Sequence, residues 1–372
     1  IGVSTRYSFY NTVLSQTFSA CGKYLLAGNT YGQIVPPVPD PRVLNPNFDD
    51  FTYSNKPEQT LTVDKDVQIC SMASTEKFLV VGTHSEISGW DWSCLKDKAP
   101  KPSWKIALPG GSSIIDRVDV NSLWWSEEQE LMFAGCGDNN IYAFNLEEGK
   151  IVRTFKGHED YIHSIHGLNS NLISAGEDGL VCIWDSRTQA FNSFEPYSES
   201  KLARPDLGKW VGAVKQFDVF FQICGGGPRL ALWQIRSLQP TTVFDLPDRG
   251  MHVAYFHDDC IIAGGCAPYL YQLGYSGDTL ASIPVSATTV YSAVYQSSPH
   301  RVFTIAGSSP NIDLCTTFNY LLPHLPLPHL LPLPLTFSLT TYLNWDPIVL
   351  LAPGSWKQLG LLCGIHKSFA QT

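Results

Sequence analysis

Short apolar runs, each ending in glycine, recur along the chain. They are Leu25-Leu26-Ala27-Gly28, Leu79-Val80-Val81-Gly82, Met132-Phe133-Ala134-Gly135, Ile173-Ser174-Ala175-Gly176, Gln222-Ile223-Cys224-Gly225, Ile261-Ile262-Ala263-Gly264 and Thr304-Ile305-Ala306-Gly307. The glycines follow one another at intervals of 54, 53, 41, 49, 39 and 43 residues. Seven to nine residues after five of them stands a large aromatic: Trp90, Phe144, Trp184, Trp233 and Tyr271. Between glycine and aromatic lie a polar turn and a second apolar stretch, as in Glu177-Asp178-Gly179 before Leu180-Val181-Cys182-Ile183. Upstream of the glycine lies another apolar run, such as Tyr161–Ile165 or Met251–Phe256. This pattern predicts three buried strands per unit, joined by tight turns. A fourth, outer strand is expected in the variable spacers. No helical period is sustained, which weighs against a helical array.

Repeats of about 40–45 residues have the length of a propeller blade. Seven units predict a seven-bladed ring over residues 1–320. Residues 1–10, with Tyr7, Phe9 and Tyr10, are the expected strand that closes the last blade. Two stretches break the pattern. Val35-Pro36-Pro37-Val38-Pro39-Asp40-Pro41 puts prolines where the third strand of unit one belongs, and proline lacks the N–H an inner strand needs. That strand is expected to be truncated, with an irregular insert over about 36–60. After Tyr320 a Leu/Pro/His-rich segment begins, and Asp346, Lys357 and Lys367 are its only charges. Its apolar runs fall short of the roughly 20 residues that span a bilayer. A Pro-rich ligand for a partner domain is a second reading. The reading adopted is that 321–372 lies outside the fold, as the product of a mis-spliced or mispredicted gene.

Composition narrows the function classes. Hydrophobic residues make up 44% and charged residues 16%, which is enough apolar material for a large core. The net charge of −9, with no Lys/Arg run, argues against nucleic-acid binding through the bulk field. Ten cysteines are scattered with no C-x-x-C pair, so no zinc site is expected. Most sit in apolar runs and read as buried, reduced thiols of a cytosolic or nuclear protein. The sequence starts at Ile1, so the native N-terminus is expected to be missing; residues 1–20 carry no secretory signal pattern.

Unit four holds the densest set of polar markers: Gly157-His158, Ser174, Asp178 and Trp184-Asp185. This combination resembles the WD40 family, in which such residues form a buried hydrogen-bonded chain. The resemblance implies an all-β, seven-bladed WD40 β-propeller, with an irregular Pro/Leu-rich C-terminal tail. It also implies a structural network of His158, Ser174, Asp178 and Trp184. A Ser, a His and an Asp could instead serve as a hydrolase triad. The repeat spacing favours the structural role. Loss of His158 is therefore expected to lower stability rather than abolish a reaction.

Other candidate chemistry is weaker. Cys224-Gly225-Gly226-Gly227-Pro228 lacks the Lys-Ser/Thr of a phosphate loop and falls at an inter-strand turn. Asp49-Asp50 and Asp258-Asp259 read as solvated loop acids. His252 and His257 lack a further ligand at metal spacing. No catalytic residue, cofactor or metal is predicted. Leu172 to Arg187, ending Trp184-Asp185-Ser186-Arg187, resembles the WD-x-Arg box of WD40 proteins that dock on the DDB1 adaptor of cullin-4 ubiquitin ligases. That likeness would make Asp185 and Arg187 adaptor contacts. The bland reading is a surface turn and ion pair.

Several blade segments go beyond generic WD40 features. They are Phe18–Ile34, Gly157–His163, Ser174–Arg187, Gly208-Lys209-Trp210-Val211-Gly212, Cys224–Pro228 with Leu232-Trp233, and Pro240–Phe244. These resemble the THO complex subunit 6 family. The resemblance implies a non-catalytic nuclear scaffold of the THO/TREX assembly, with nuclear speckles as one expected location. That assembly couples transcription and splicing to mRNA export. The implied partners are other THO/TREX subunits, above all the coiled-coil subunits 5 and 7. RNA contact is expected to be indirect or confined to a local patch, and no membrane partner is expected.

Overall fold

The computed structural model describes residues 12–22, 24–35, 61–64, 66–96, 100–109, 118–218, 221–247, 249–298, 301–317 and 320–326. These form seven four-stranded antiparallel sheets. Blade one is β1 (Val13–Phe18), β2 (Leu25–Asn29), β3 (Gln33–Val35) and β4 (Leu61–Thr62). Blade two is β5 (Ser71–Ser74), β6 (Phe78–Gly82), β7 (Glu86–Asp91) and β8 (Trp104–Ala107). Blade three is β9 (Val120–Ser126), β10 (Leu131–Cys136), β11 (Asn140–Asn145) and β12 (Lys150–Lys156). Blade four is β13 (Ile162–Leu168), β14 (Asn171–Gly176), β15 (Val181–Asp185) and β16 (Phe191–Phe194). Blade five is β17 (Val211–Gln216), β18 (Phe221–Gly226), β19 (Ala231–Gln234) and β20 (Gln239–Val243). Blade six is β21 (Met251–His257), β22 (Cys260–Gly265), β23 (Ala267–Gly274) and β24 (Thr279–Pro284). Blade seven is β25 (Val290–Gln296), β26 (Val302–Gly307), β27 (Asn311–Thr317) and β28 (Tyr320–Pro326). No helix among the described residues is long and apolar enough to cross a membrane.

Each glycine-tipped run is, or lies within, the second strand of its blade. These strands are buried almost end to end: β6, β22 and β26 expose none of their residues. The reason is their position, with a paired strand on both edges and a neighbouring blade on each face, so alternation gives way to a continuous apolar run. The glycine lets the next blade close in. A Cβ on Gly28 would stand 2.5 Å from Ile69 Cγ2, and one on Gly82 would stand 2.5 Å from Val120 Cγ1. The outer strands carry the exposure instead, as β16 and β20 show.

The core lies between blades rather than within them. One cluster joins Phe133, Ile141 and Phe155 of blade three to Ile162, Leu172 and Trp184 of blade four. Another joins Val13, Phe18 and Leu25 of blade one to Val302, Ile312 and Leu314 of blade seven. The inner strands touch in sequence from β1 through β25, and β25 touches β1. The ring is therefore closed. Gln16 Nε2 donates to the Ser292 carbonyl at 3.2 Å across that last seam.

The outer strand of blade seven is β28, which pairs antiparallel with β27 through Thr317–Tyr320, Cys315–Leu321 and Leu314–Leu322. The blade thus draws on residues past the expected boundary at 320, and 321–326 belong to the fold. The N–H that proline lacks is tolerated here because β28 is an edge strand. The expected closing strand over 1–10 and the insert over 36–60 lie outside the described residues. The third strand of blade one is short, ending at Val35 just before the prolines. The chain divides into two compact units, Ile1–Leu331 and Pro332–Thr372, and the second also lies outside the described residues.

Candidate functional site

The polar residues of blade four form one connected chain. Trp184 Nε1 donates to Ser174 Oγ at 2.8 Å. Ser174 Oγ lies 2.7 Å from His158 Nε2, and His158 Nδ1 lies 2.8 Å from Asp178 Oδ2. The Asp178 carboxylate also accepts the backbone N–H of Glu159 at 2.9 Å and of Leu180 at 3.0 Å. A carboxylate can only accept, so Nδ1 carries the imidazole proton and Nε2 accepts from the serine hydroxyl. Burial works against the Asp178 charge, but His158 and the two amides outweigh it and hold the carboxyl below its ordinary range. The sequence brings these groups together locally. β14 carries Ser174, the β14–β15 turn carries Asp178, and β15 carries Trp184 on the face toward Ser174.

A serine, a histidine and an aspartate thus stand in the order of a hydrolase triad. The surroundings do not suit that chemistry. The His158 side chain and Ser174 are fully enclosed, and the Trp184 N–H already occupies the hydroxyl oxygen. The network ties strands together.

Asp185 and Arg187 lie at the opposite end of blade four. Arg187 donates from Nε to Asp185 Oδ1 at 3.0 Å and from Nη2 to Oδ2 at 2.9 Å. This fork holds the Asp185 carboxyl down at about 2. Two-thirds of the Arg187 side chain is exposed. Ser186, which the sequence reading passed over, is the buried member of the turn. Its Oγ donates to Ser170 O at 2.8 Å and accepts from Gln129 Nε2 of blade three at 2.7 Å. Arg153 of blade three also donates to the Ser186 carbonyl.

The Gly225–Pro228 segment spans the end of β18 and the start of the turn to β19, and the carbonyls of Gly226, Gly227 and Pro228 face a cation. The buried Arg204 donates to Gly227 O at 2.6 Å, Gly226 O at 2.8 Å and Pro228 O at 3.1 Å. A loop with its oxygens turned inward cannot cradle a phosphate. Arg204 sits in the long spacer before β17, where the sequence offered no repeat signal.

His252 lies in a row of rings that crosses the starts of the inner strands. His163 meets Trp210 edge-on with ring centroids 6.2 Å apart. Trp210 stacks on His252 at 5.3 Å, and His252 meets Tyr291 at 5.3 Å. Burial, then the neighbouring His163, pull the His252 imidazole down to about 4. His257 packs instead against Tyr295, with centroids 4.3 Å apart. Asp258 and Asp259 occupy the turn between β21 and β22, as expected of loop acids. Asp49-Asp50 lies outside the described residues.

One cluster has no trace in the sequence pattern. Cys70, His84 and Asp119 bring a sulfur, a ring nitrogen and a carboxylate oxygen within 4.8 Å of one another. Their separations of 14 and 35 residues match no ligand motif. They converge because the loops before β5 and β9 and the turn after β6 meet at the seam of blades two and three. A cysteine beside a histidine could act as a nucleophile, but burial pushes the Cys70 thiol up to about 12, away from the reactive thiolate.

Residues 149–185, which contain the whole His158 network, match the family model for the WD domain, G-beta repeat. Across its length the chain is 38% identical to THO complex subunit 6 of Drosophila melanogaster, over 84% of this chain and 88% of that protein. The chain belongs to the THO complex subunit 6 family. As a member of that family, it is also 33% identical to THO complex subunit 6 of Homo sapiens, over 83% of this chain and 91% of the human protein. The fold is similar to that of the WD40 β-propeller domain of Doa1, with a TM-score of 0.60, 12% identity, and coverage of 80% of this chain and 90% of that one. A shorter stretch, 22% of the chain, is 36% identical to the DDB1- and CUL4-associated factor 11 homolog of Caenorhabditis elegans, and covers 15% of that protein.

Proposed function

We propose that this chain is a non-catalytic scaffold subunit of a THO/TREX assembly in the nucleus, where it helps couple transcription and processing of mRNA to export. The observation that carries this reading is the 38% identity to the Drosophila THO subunit, which extends over 84% of the chain rather than over one repeat. The geometry agrees in kind. The buried polar chemistry of blade four is spent on internal bonds, and the closed ring offers rigid rims for partners. The proposed partners are other THO subunits, with the coiled-coil subunits 5 and 7 foremost. Contact with RNA is indirect or local in this reading, because the chain is acidic.

Affinity purification of the tagged chain from nuclear extract, with identification of what co-purifies, tests it. THO subunits are expected in near-equal amounts with the bait. Their absence would sink the proposal.

A second reading, a substrate receptor of a cullin-4/DDB1 ligase, rests on the Asp185–Arg187 pair, half-buried at the aspartate and exposed at the arginine, and on the partial likeness to the nematode factor. It is favoured less, since the fork leaves Arg187 bonded within its own turn. Exchanging both residues for alanine separates the two. Loss of DDB1 with retention of THO subunits supports the receptor. A purification in which DDB1 never appears rejects it.

A further inference from the structure

We propose that Cys70, His84 and Asp119 form a binding site for a divalent transition-metal ion of the zinc class at the seam of blades two and three. The three donor atoms already lie within 4.8 Å of one another, and His84 Nδ1 and an Asp119 carboxylate oxygen are in direct contact. A tetrahedral ion with bonds of about 2.0–2.3 Å needs its ligand atoms only slightly farther apart than touching, so small rotamer changes suffice. Sulfur, imidazole nitrogen and one carboxylate oxygen suit zinc or cobalt. Calcium and magnesium demand six or more oxygens, which this cluster lacks.

The backbone beneath the three residues is held by hydrogen bonds. Cys70 N donates to Gly82 O at 3.0 Å, Val120 N to Thr83 O at 3.1 Å, and Gly137 N to Asp119 O at 2.9 Å. His84 and Asp119 form an antiparallel bridge of their own. The ligands therefore stand on fixed backbone rather than on wandering loop, which lowers the entropic cost of binding. The sulfur has an outer-shell donor: Gln68 Nε2 reaches it at 3.4 Å. Such a bond favours the charged, metal-bound form of the thiol. His84 and Asp119 keep 22% and 29% of their side chains exposed, so an ion can enter and a water can complete the fourth position.

Binding exchanges the thiol proton for the metal. The S–H bond breaks, the S–metal bond forms, and the proton leaves to solvent with no change of oxidation state. Occupancy should therefore rise with pH.

The test uses the purified full chain, stripped with a chelator and titrated with Co2+. The expected result is a near-ultraviolet thiolate-to-cobalt charge-transfer band that saturates at one ion per chain and is bleached by Zn2+. Cys70→Ser should remove the band. His84→Gln, at a partly exposed position that does not disturb the core, should weaken binding by at least about tenfold while the far-ultraviolet circular dichroism stays the same. Zinc should also raise the melting temperature of the intact chain but not of His84→Gln. A chain without the band overturns the proposal. So does a band that persists unchanged in Cys70→Ser or in folded His84→Gln, because another cysteine would then be the ligand.

Discussion

Gln16 and Ser292 are 276 residues apart in sequence and joined by a hydrogen bond of 3.2 Å. That bond crosses the seam where blade one meets blade seven, and apolar side chains of both blades pack together at the same seam. The other amide atom, Gln16 Oε1, is buried with no partner among the described residues. The seam therefore draws its strength from apolar contact. Replacing Gln16 with Met, of similar volume, removes both the donor and the stranded acceptor. Its expected cost is below about 1 kcal/mol. Leu25→Ala in the same cluster should cost about 2–5 kcal/mol. Equilibrium unfolding in urea compares the two, and equal costs would contradict this account.

Ser174 receives the Trp184 N–H and lies against His158 Nε2, so one hydroxyl serves two buried partners. Ser174→Ala leaves both without it. The expected loss is roughly 2–4 kcal/mol, from two buried polar atoms stripped of their bonds. His158→Ala should destabilise through the same network. A variant with wild-type stability but an altered activity would reverse the structural assignment.

Arg204 offers its fork to three carbonyls at the end of β18 and in the turn after it. Lysine cannot reproduce that geometry. Arg204→Lys should lower stability by roughly 1–3 kcal/mol, and Arg204→Ala by more, because buried carbonyls lose a charged donor. Amide exchange of Gly226 and Gly227 is the local readout. Faster exchange there, ahead of blades two and three, is the expected result.

Stability should fall in mild acid. His252 is held down to about 4 by burial and by His163, and His166 is held well below its ordinary value by burial and by Lys215. In the unfolded chain both titrate near 6.5. Between those limits the unfolded state binds more protons, so stability drops as pH falls from about 6.5 toward about 4. Asp178, held below its ordinary range, continues the loss at lower pH. Melting temperatures at pH 7.5 and pH 5 check the direction. His252→Phe should flatten the slope without removing it.

Much of the fold was legible because each blade repeats a local pattern. The glycine-tipped runs mark second strands wherever a strand is covered on both faces and both edges. The His158 network could be placed because three of its members share one hairpin and its connecting turn. Asp185 and Arg187 could be found as a pair for the same reason, being two residues apart. Ser186 was missed because its partners, Gln129 and Arg153, belong to the neighbouring blade.

The amino-acid sequence alone determined the number of blades, their strand order and the family, since these rest on spacing within about 50 residues. The tertiary structure decided what the repeat spacing does not record. It placed the last outer strand at Tyr320–Pro326, past the boundary that composition implied. It turned the glycine-rich loop toward Arg204. It also gathered Cys70, His84 and Asp119 from three connections that carry no common motif. That last contact lies where blades two and three pack together, and no local rule records that packing.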